Sequence, residues 1–437
     1  MLDIKFIREN RDIVEASAKN RGRNLDLDEL ISLDDKRLAS LVSVEALRAE
    51  QNQVSNKIKV EKDDTTRFQM IEEMKVLKED LKKREDDLKE IIEAWQKAML
   101  QIPNIVSVDT PIGPDESGNK VVRTWGEKPQ FSFTPKEHDE LGEALDIIDT
   151  KTATEVAGPR LAYIKGDLVR IQFALIQMCL EIMTNVETLQ KIADDAKVSV
   201  KVTPFMPVLP PVFIKPVMQV KMARFMTPEE HYLFPNDDLM LVGSAEHTLG
   251  AMYADTIFTE ADMPLRYLGY STAFRREAGS YGRDTKGIIR QHQFDKLEME
   301  TFCLPENSIQ EQDFLVAIQE YVLQKLKLPY QVVAVCTGDM GFPDVRQLDI
   351  ETWMPGQNKY RETHSADLIG SFQSRRLGTR IKRADGKIEP VHMNDATLFA
   401  MGRTMVAIIE NYQNEDGSIT IPEVLRPYIG KDKITLE

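Results

Sequence analysis

What this sequence lacks narrows its class before any motif is read. Its 437 residues hold three cysteines, Cys179, Cys303 and Cys336, far apart and without a CxxC pair. That argues against a disulfide framework and against a structural zinc site, and leaves buried thiols of a reducing compartment. No apolar run approaches the ~20 residues needed to span a bilayer, so no membrane partner is expected. The opening MLDIKFIREN is charged and has no apolar signal core, so the expected location is cytoplasmic. An excess of positive charge is missing as well. The net charge of −15 argues against non-specific nucleic-acid binding as the main activity, while leaving room for a local basic surface. Between about Leu27 and Leu100 there is neither glycine nor proline.

That stretch is rich in charge and in helix formers. Met70, Met74, Leu77, Leu81, Leu88, Ile91, Trp95 and Ala98 repeat in an alternating 4,3 register broken at Arg84. A weaker stripe precedes it, formed by Leu33, Val44, Leu47, Val54 and Ile58 and interrupted by Arg37, Ser40 and Gln51. Lys62–Thr66 reads as the turn between them. Two helices of roughly 35 residues, at 1.5 Å per residue, would reach about 50 Å. The expectation is an antiparallel helical hairpin projecting from the body, which would serve either as a dimerising coiled coil or as a grip on a partner. Lys57, Lys59, Lys62 and Arg67 gather near the tip, but Glu61, Asp63 and Asp64 interleave them and dilute the basic character. A hydrophobic content of 42% is ordinary for a globular protein, and the length suits two domains, expected at 1–110 and 111–437.

Beyond the hairpin, Ile102–Pro129 reads as a Pro/Gly-rich loop, Ala157–Lys165 as a strand and Asp167–Ala196 as one long helix. Val198–Val212 reads as a strand that ends at Pro210-Pro211, an edge position by its prolines. Asp238–Leu249 reads as strand, turn and helix, and Ser308–Lys327 as a helix. Asp349–Trp353 alternates as a strand. Val391–Gln413 reads as a strand entering a helix with Leu398, Met401, Met405, Ile408 and Ile409 inward.

The most informative segment is FRREAGSYGRDTKGIIRQHQFDKLEME, Phe274–Glu300. Phe274–Glu277 reads as the end of a strand, Ser280–Lys286 as a glycine-bearing turn and Ile288–Glu300 as the returning strand. Such a hairpin sets Arg275, Glu277 and Glu298 on neighbouring strands. Arginine offers a planar fork that suits a phosphate, and a carboxylate accepts from an amine or hydroxyl. A salt-bridged surface hairpin would use the same charges.

The order of these residues resembles motif 2 of class II aminoacyl-tRNA synthetases. The string FRxEAGSxGxDTxGxxRxHQFxKxE in particular is similar to the seryl-tRNA synthetase family, over more than a dozen positions. The resemblance extends along the chain in family order. Ser244-Ala245-Glu246 stands in the place of the Thr-x-Glu loop over the serine pocket. Glu362-Thr363-His364-Ser365 stands in the place of an E-x-S-S segment, and Gly402-Arg403 in the place of the motif 3 Gly-Arg pair. Helix, strand and closing proline before Val212 resemble motif 1, the dimer-interface element.

The resemblance implies an α+β fold, with an antiparallel β-sheet core flanked by helices and an N-terminal antiparallel coiled-coil arm that grips tRNA(Ser). It implies a homodimer that joins L-serine to ATP and then passes the seryl group to the tRNA 3′ hydroxyl; tRNA(Sec) as a second acceptor stays open. By the same resemblance Arg275 holds the ATP α-phosphate and also belongs to the serine site, with Arg276 beside it among the ATP-binding residues. Glu277 meets adenine, and Arg403 lies over adenine and reaches the γ-phosphate. Glu362 and Ser365 hold Mg²⁺ with the phosphates, Thr363 and His364 completing that ATP-binding segment, although His364 by itself suggests no chemistry. Ser244, Ala245, Glu246, Glu298 and Thr397 line the serine site.

The chain departs from the family pattern in three further stretches. A Cys-Ser-Asn-Cys run is replaced by Ala366-Asp367-Leu368-Ile369, and Asp-Phe-Gln by Ser371-Phe372-Gln373, which should weaken a supporting network behind the pocket. Asn-Gly-Ser becomes Asp395-Ala396-Thr397, which keeps a hydroxyl and should tighten the pocket. A paralogue charging a carrier protein would lack the arm, and a regulatory paralogue would lose the arginines or Glu362. Neither loss is present.

Overall fold

A computed structural model describes residues 1–224, 228–278 and 286–436. The chain divides into two compact units, Met1–Pro103 and Asn104–Glu437. In the first, short helices Ile4–Glu9 and Arg11–Asn20 bury Ile7, Val14 and Ala18, and two long helices follow, Leu27–Val60 and Asp64–Leu100. The connection is shorter than the expected Lys62–Thr66 turn. Asp63 accepts a hydrogen bond from the Thr66 N–H at 2.8 Å, and this cap starts the second helix at Asp64. So short a link makes the pair antiparallel. Val44, Leu81 and Leu88 form its buried seam, backed by Leu41, Leu47 and Ile92. At the far end Ile92 packs against the seam and Met99 is buried, while Ile91 and Ala98 are half-buried, a widening expected when a 3.6-residue helix drifts against a 3.5-residue repeat. Arg37, which interrupts the first stripe, lies 4.7 Å above the Trp95 ring.

The second unit is built on a sheet of eight strands. These are β1 (Lys120–Trp125), β2 (Met206–Val208), β3 (Leu265–Phe274), β4 (Gln293–Cys303), β5 (Tyr330–Ala334), β6 (Arg346–Met354), β7 (Lys359–Gly370) and β8 (His392–Ala400). Their order is β1-β5-β6-β7-β8-β4-β3-β2. All neighbours pair antiparallel except β2, which runs parallel to β3 at the edge. Period-two alternation divides the side chains. Leu297, Met299, Ala366, Ala396 and Leu398 enter the large core under helices Gly166–Thr184, Ser308–Lys325 and Met401–Asn411. Lys296, Glu298, Glu300, Ser365, Asp395 and Thr397, their sequence neighbours, point to the other face, where the candidate site lies, while a register shift keeps Phe399 beside Leu398 in the core.

Several expected elements are shorter. Asn185 breaks the long helix by accepting from Thr188 N–H at 2.8 Å, so it becomes Gly166–Thr184 and Val186–Ala196. The Val198–Val212 strand shrinks to Met206–Val208, since Pro207, Pro210 and Pro211 supply no ladder donors. Of Ala157–Lys165 only Tyr163–Ile164 is strand, pairing with Ile148–Asp149. β3 stops at Phe274 and β4 begins at Gln293, so Arg275 and Glu277 sit beyond the strand end. The turn predicted over Ser280–Lys286, with Gly279 and Gly282, lies outside the described residues apart from Lys286. Among the described residues no helix is long and apolar enough to cross a membrane.

Candidate active site

The site is assembled on the exposed face of β3, β4, β8 and β7. Beyond the end of β3 the Arg275 N–H still bonds the His292 carbonyl at 2.9 Å, which holds this residue in line with the sheet. Its Nε donates to the Gly243 carbonyl at 3.0 Å, and the guanidinium lies 5.3 Å from the Phe294 ring centre. Glu277 then takes a left-handed backbone, φ +53°. For a residue with a Cβ this costs on the order of 1–3 kcal/mol, and the turn places its carboxylate 2.6 Å from Arg290 Nη1.

On β4 the alternation puts Phe294, Lys296, Glu298 and Glu300 on the site face. Register sets Glu298 opposite Thr397 and Glu300 opposite Asp395 on β8. Glu298 is fully buried. Its Oε1 accepts from Ser244 Oγ at 2.9 Å and from Thr397 Oγ1 at 3.3 Å, and the Lys296 ammonium pairs with the same oxygen. Oε2 is buried and has no hydrogen-bond partner among the described residues. Three donors therefore crowd one oxygen and leave the other for an incoming group. Burial pushes the Glu298 carboxyl up, and Lys296 only partly offsets that.

β7 supplies Glu362 and Ser365, the latter with its hydroxyl 3.3 Å from that of Thr397. The helix Met401–Asn411 follows β8 directly and brings Arg403 over the same face. Its Nη1 donates to the Glu362 carbonyl at 2.9 Å. A Cβ on Gly402 would sit 2.8 Å from the Ile288 carbonyl oxygen, so this approach needs glycine. Burial would raise the Glu362 carboxyl, but Arg403 and Arg275 outweigh it and hold it below the ordinary range. Burial, with Arg403 close by, lowers Arg275 in turn. Two guanidiniums facing one space favour an anion between them.

A cavity of about 110 Å³ opens here. Of the predicted residues Arg275, Glu277, Glu362, Thr363, Ser365, Thr397 and Arg403 wall it, and Ser244 and Glu298 lie directly behind. Arg290, Phe294 and Lys296 also wall it and were not singled out from sequence. Phe294 and Lys296 could have been, since they stand at even spacing from Glu298.

Four predicted placements differ. His364 is not on the cavity wall: a register shift in β7 turns it to the core face, its ring 5.6 Å from Phe399 and Nδ1 2.8 Å from Thr363 Oγ1. Arg276 points to a neighbouring depression, 5.8 Å from the Tyr232 ring. Ala245 is buried behind the site, in an apolar cluster. Ala396 faces the helical layer, opposite to Thr397, and so does not tighten the pocket. Behind the pocket, the Ser371 hydroxyl accepts from Arg375 Nε at 3.3 Å. Asp367 and Asp395 add two carboxylates there, both bound by Arg224, which sequence reasoning did not find. Lys57, Lys59, Lys62 and Arg67 are all exposed near the tip of the arm helices.

An antiparallel sheet with one arginine just past the end of β3 and a second on the helix after β8 defines the catalytic core of class II aminoacyl-tRNA synthetases. The family model for the tRNA synthetase class II core domain (G, H, P, S and T) matches residues 232–412, and that for the seryl-tRNA synthetase N-terminal domain matches residues 1–106. The chain is 40% identical over 436 residues to the serine–tRNA ligase of Symbiobacterium thermophilum, covering 99% of this chain and all of that one. It superposes on seryl-tRNA synthetase from Pyrococcus horikoshii complexed with ATP at TM-score 0.84, with 32% identity and full coverage of both chains. On the cytoplasmic serine–tRNA ligase of Naegleria fowleri in complex with AMP it gives TM-score 0.81, with 28% identity, covering 100% of this chain and 99% of that one. The chain belongs to the seryl-tRNA synthetase family.

Proposed function

We propose that this chain activates L-serine with ATP to seryl-adenylate and transfers the seryl group to the 3′ end of tRNA(Ser). The observation that carries this reading is the convergence of Arg275, Arg403 and Glu362 on one cavity, directly above the buried Glu298–Ser244–Thr397 cluster. The open Oε2 of Glu298 is placed to accept from a small amino acid's amine or hydroxyl. Thr397 and Ser244 give the cluster hydroxyls at the scale of a serine side chain. A carboxylate nucleophile needs no general base, so catalysis reduces to holding the serine carboxylate in line with the α-phosphorus and meeting the charge that builds on the phosphates. Arg275 supports the α-phosphate and Arg403 the far end of the triphosphate.

Mg²⁺ fits the same wall. The Glu362 carboxylate and Ser365 hydroxyl are hard oxygen donors on one strand. Among the described residues no three His, Cys, Asp or Glu side chains converge to hold an ion by themselves, so most of its oxygens would come from nucleotide and water. When bound, it would neutralise phosphate charge.

The exposed basic residues of the arm tip suit contact with the tRNA backbone. Exposed apolar side chains on the motif 1 elements, among them Phe173 and Met206, suit a homodimer. A cytoplasmic location follows from the translation role. Serine-dependent ATP–pyrophosphate exchange tests the activation step: exchange that required serine would support this reading, and its absence from folded protein with ATP and Mg²⁺ would refute it.

A further inference from the structure

Arg224 follows the helix Pro216–Met222, and its side chain is only 10% exposed. Four carboxylates from four separate parts of the chain surround it. Nη2 lies 2.7 Å from Asp367 on β7 and 2.8 Å from Asp395 on β8, Nη1 lies 3.2 Å from Asp344, and Nε lies 3.3 Å from Glu246. Register explains the need for a cation. Asp367 stands directly opposite Asp395, and Asp395 directly opposite Glu300, so three carboxylates lie abreast on adjacent strands. Like charges in that relation repel, and buried ones are tolerated only when paired.

The cluster is continuous with the serine cluster. Glu246 Oε2 lies 3.3 Å from Ser244 Oγ, and Ser244 donates to Glu298. On the other side Asp395 is two residues from Thr397 on the same strand face, and Thr397 donates to Glu298 as well. The Ser244 hydroxyl thus touches one carboxylate paired with the guanidinium, and Thr397 shares a strand face with another that the same guanidinium binds. Asp367 and Asp395, two carboxylates among the positions where the chain departs from the family pattern, are the two that Nη2 binds.

We propose that Arg224 is a positioning residue of the serine site: it ties the Ser244–Glu246 loop to the Thr397 strand and so fixes where Glu298 presents its open oxygen. The inference rests on the serine-activating reading. It assigns the shape of the Arg224 guanidinium, not only its charge, to serine recognition, because Nη2 hydrogen-bonds Asp367 and Asp395 while Nε pairs with Glu246 at 3.3 Å, a span that a lysine point charge does not cover.

Three variants test it in pyrophosphate exchange, with serine and ATP varied separately. Arg224→Met removes the bracket, Arg224→Lys keeps the charge, and the triple variant Arg224→Met/Asp367→Ser/Asp395→Asn removes excess carboxylates together with the guanidinium. The expected result is a serine KM raised roughly 10–100-fold in Arg224→Met, the range typical of lost orienting partners, with the ATP KM within about twofold. Arg224→Lys should be intermediate. The triple variant should fold with a thermal midpoint near the parent's and still show the raised serine KM. Should Arg224→Met fail to fold, the triple variant decides. A parent-like serine KM in Arg224→Met or in the triple variant would overturn the proposal, leaving Arg224 as a charge neutraliser, and so would failure of the triple variant to fold. Absence of serine-dependent exchange in the parent would instead overturn the function on which the inference rests.

Discussion

Arg403 and Glu362 hold each other across the mouth of the cavity, with Nη1 2.9 Å from the Glu362 carbonyl oxygen and 3.1 Å from its carboxylate. The pair keeps the arginine aimed over the cavity, and it must rearrange when phosphate and a cation take those partners.

The first prediction follows from that arrangement. Arg403 is partly exposed, so Arg403→Ala should cost little stability, shifting the thermal midpoint by only about 2 °C. It should still lower pyrophosphate exchange by roughly 10²–10³ or more, the usual cost of one preorganised charge-stabilising donor. Arg275→Ala should lower activity at least as far and also cost stability, because the buried Gly243 carbonyl loses its donor. Exchange within a few-fold of the parent in either variant would show that its arginine does not meet the phosphates.

Selectivity should be asymmetric. Glu298 accepts from two hydroxyls and keeps one oxygen open, so alanine would leave buried polar groups unpaired. A site built to bond a hydroxyl can reject the analogue lacking it by roughly 10⁴–10⁵. Threonine must be rejected by size, where a methylene-scale difference yields only ~1–3 kcal/mol. Exchange with serine, alanine and threonine in parallel measures both ratios. Alanine turning over near the serine rate would remove Glu298, Ser244 and Thr397 from recognition.

A pH dependence follows from His247. Its Nδ1 accepts from the Gly243 N–H at 3.2 Å, which requires the neutral ring at that nitrogen, and burial lowers its pKa to about 3. In the unfolded chain the ring titrates near 6.5. Below that value the unfolded state binds a proton that the folded state refuses, so stability falls as pH falls, by up to about 1.4 kcal/mol per unit until the folded pKa is reached. His247→Asn lacks this slope. Urea unfolding at pH 8, 7, 6 and 5 should show a parent-minus-variant difference that is flat from 8 to 7 and then declines. A difference still flat at pH 5 would mean that the ring is not held neutral.

The arm separates the two steps. With Leu27–Leu100 replaced by a short loop, pyrophosphate exchange should survive, because every residue assigned to ATP or serine lies at or beyond Arg224. Seryl transfer to tRNA should fall steeply. Changing Lys57, Lys59 and Lys62 to glutamate should give a milder loss, largest at low salt, where phosphate contacts weigh most. Sedimentation of the truncated chain alongside both assays distinguishes a tRNA grip from a dimerising arm, which would leave a monomer inactive in both steps. A truncated dimer that charged tRNA at the parent rate would exclude the grip.

The sequence by itself determined what is local. Helix formers without glycine or proline over 27–100, the alternation around Phe294, Lys296 and Glu298, and Gly402 before Arg403 all act over a few residues, where the periods of 3.6 and 2 hold. Motif order then named the family. Where local signals conflicted, the sequence misled: proline-bearing Val198–Val212 lost most of its strand, and a register shift in β7 turned His364 inward. Only the tertiary structure decided which charges meet. Arg224 binds Asp367 and Asp395 across 143 and 171 residues, a contact set by the lateral order of β4, β8 and β7 and by their register. No periodicity reports strand order, because partners across a sheet are chosen by the packing of both faces at once, and a one-residue slip would have sent every one of these carboxylates into the apolar core.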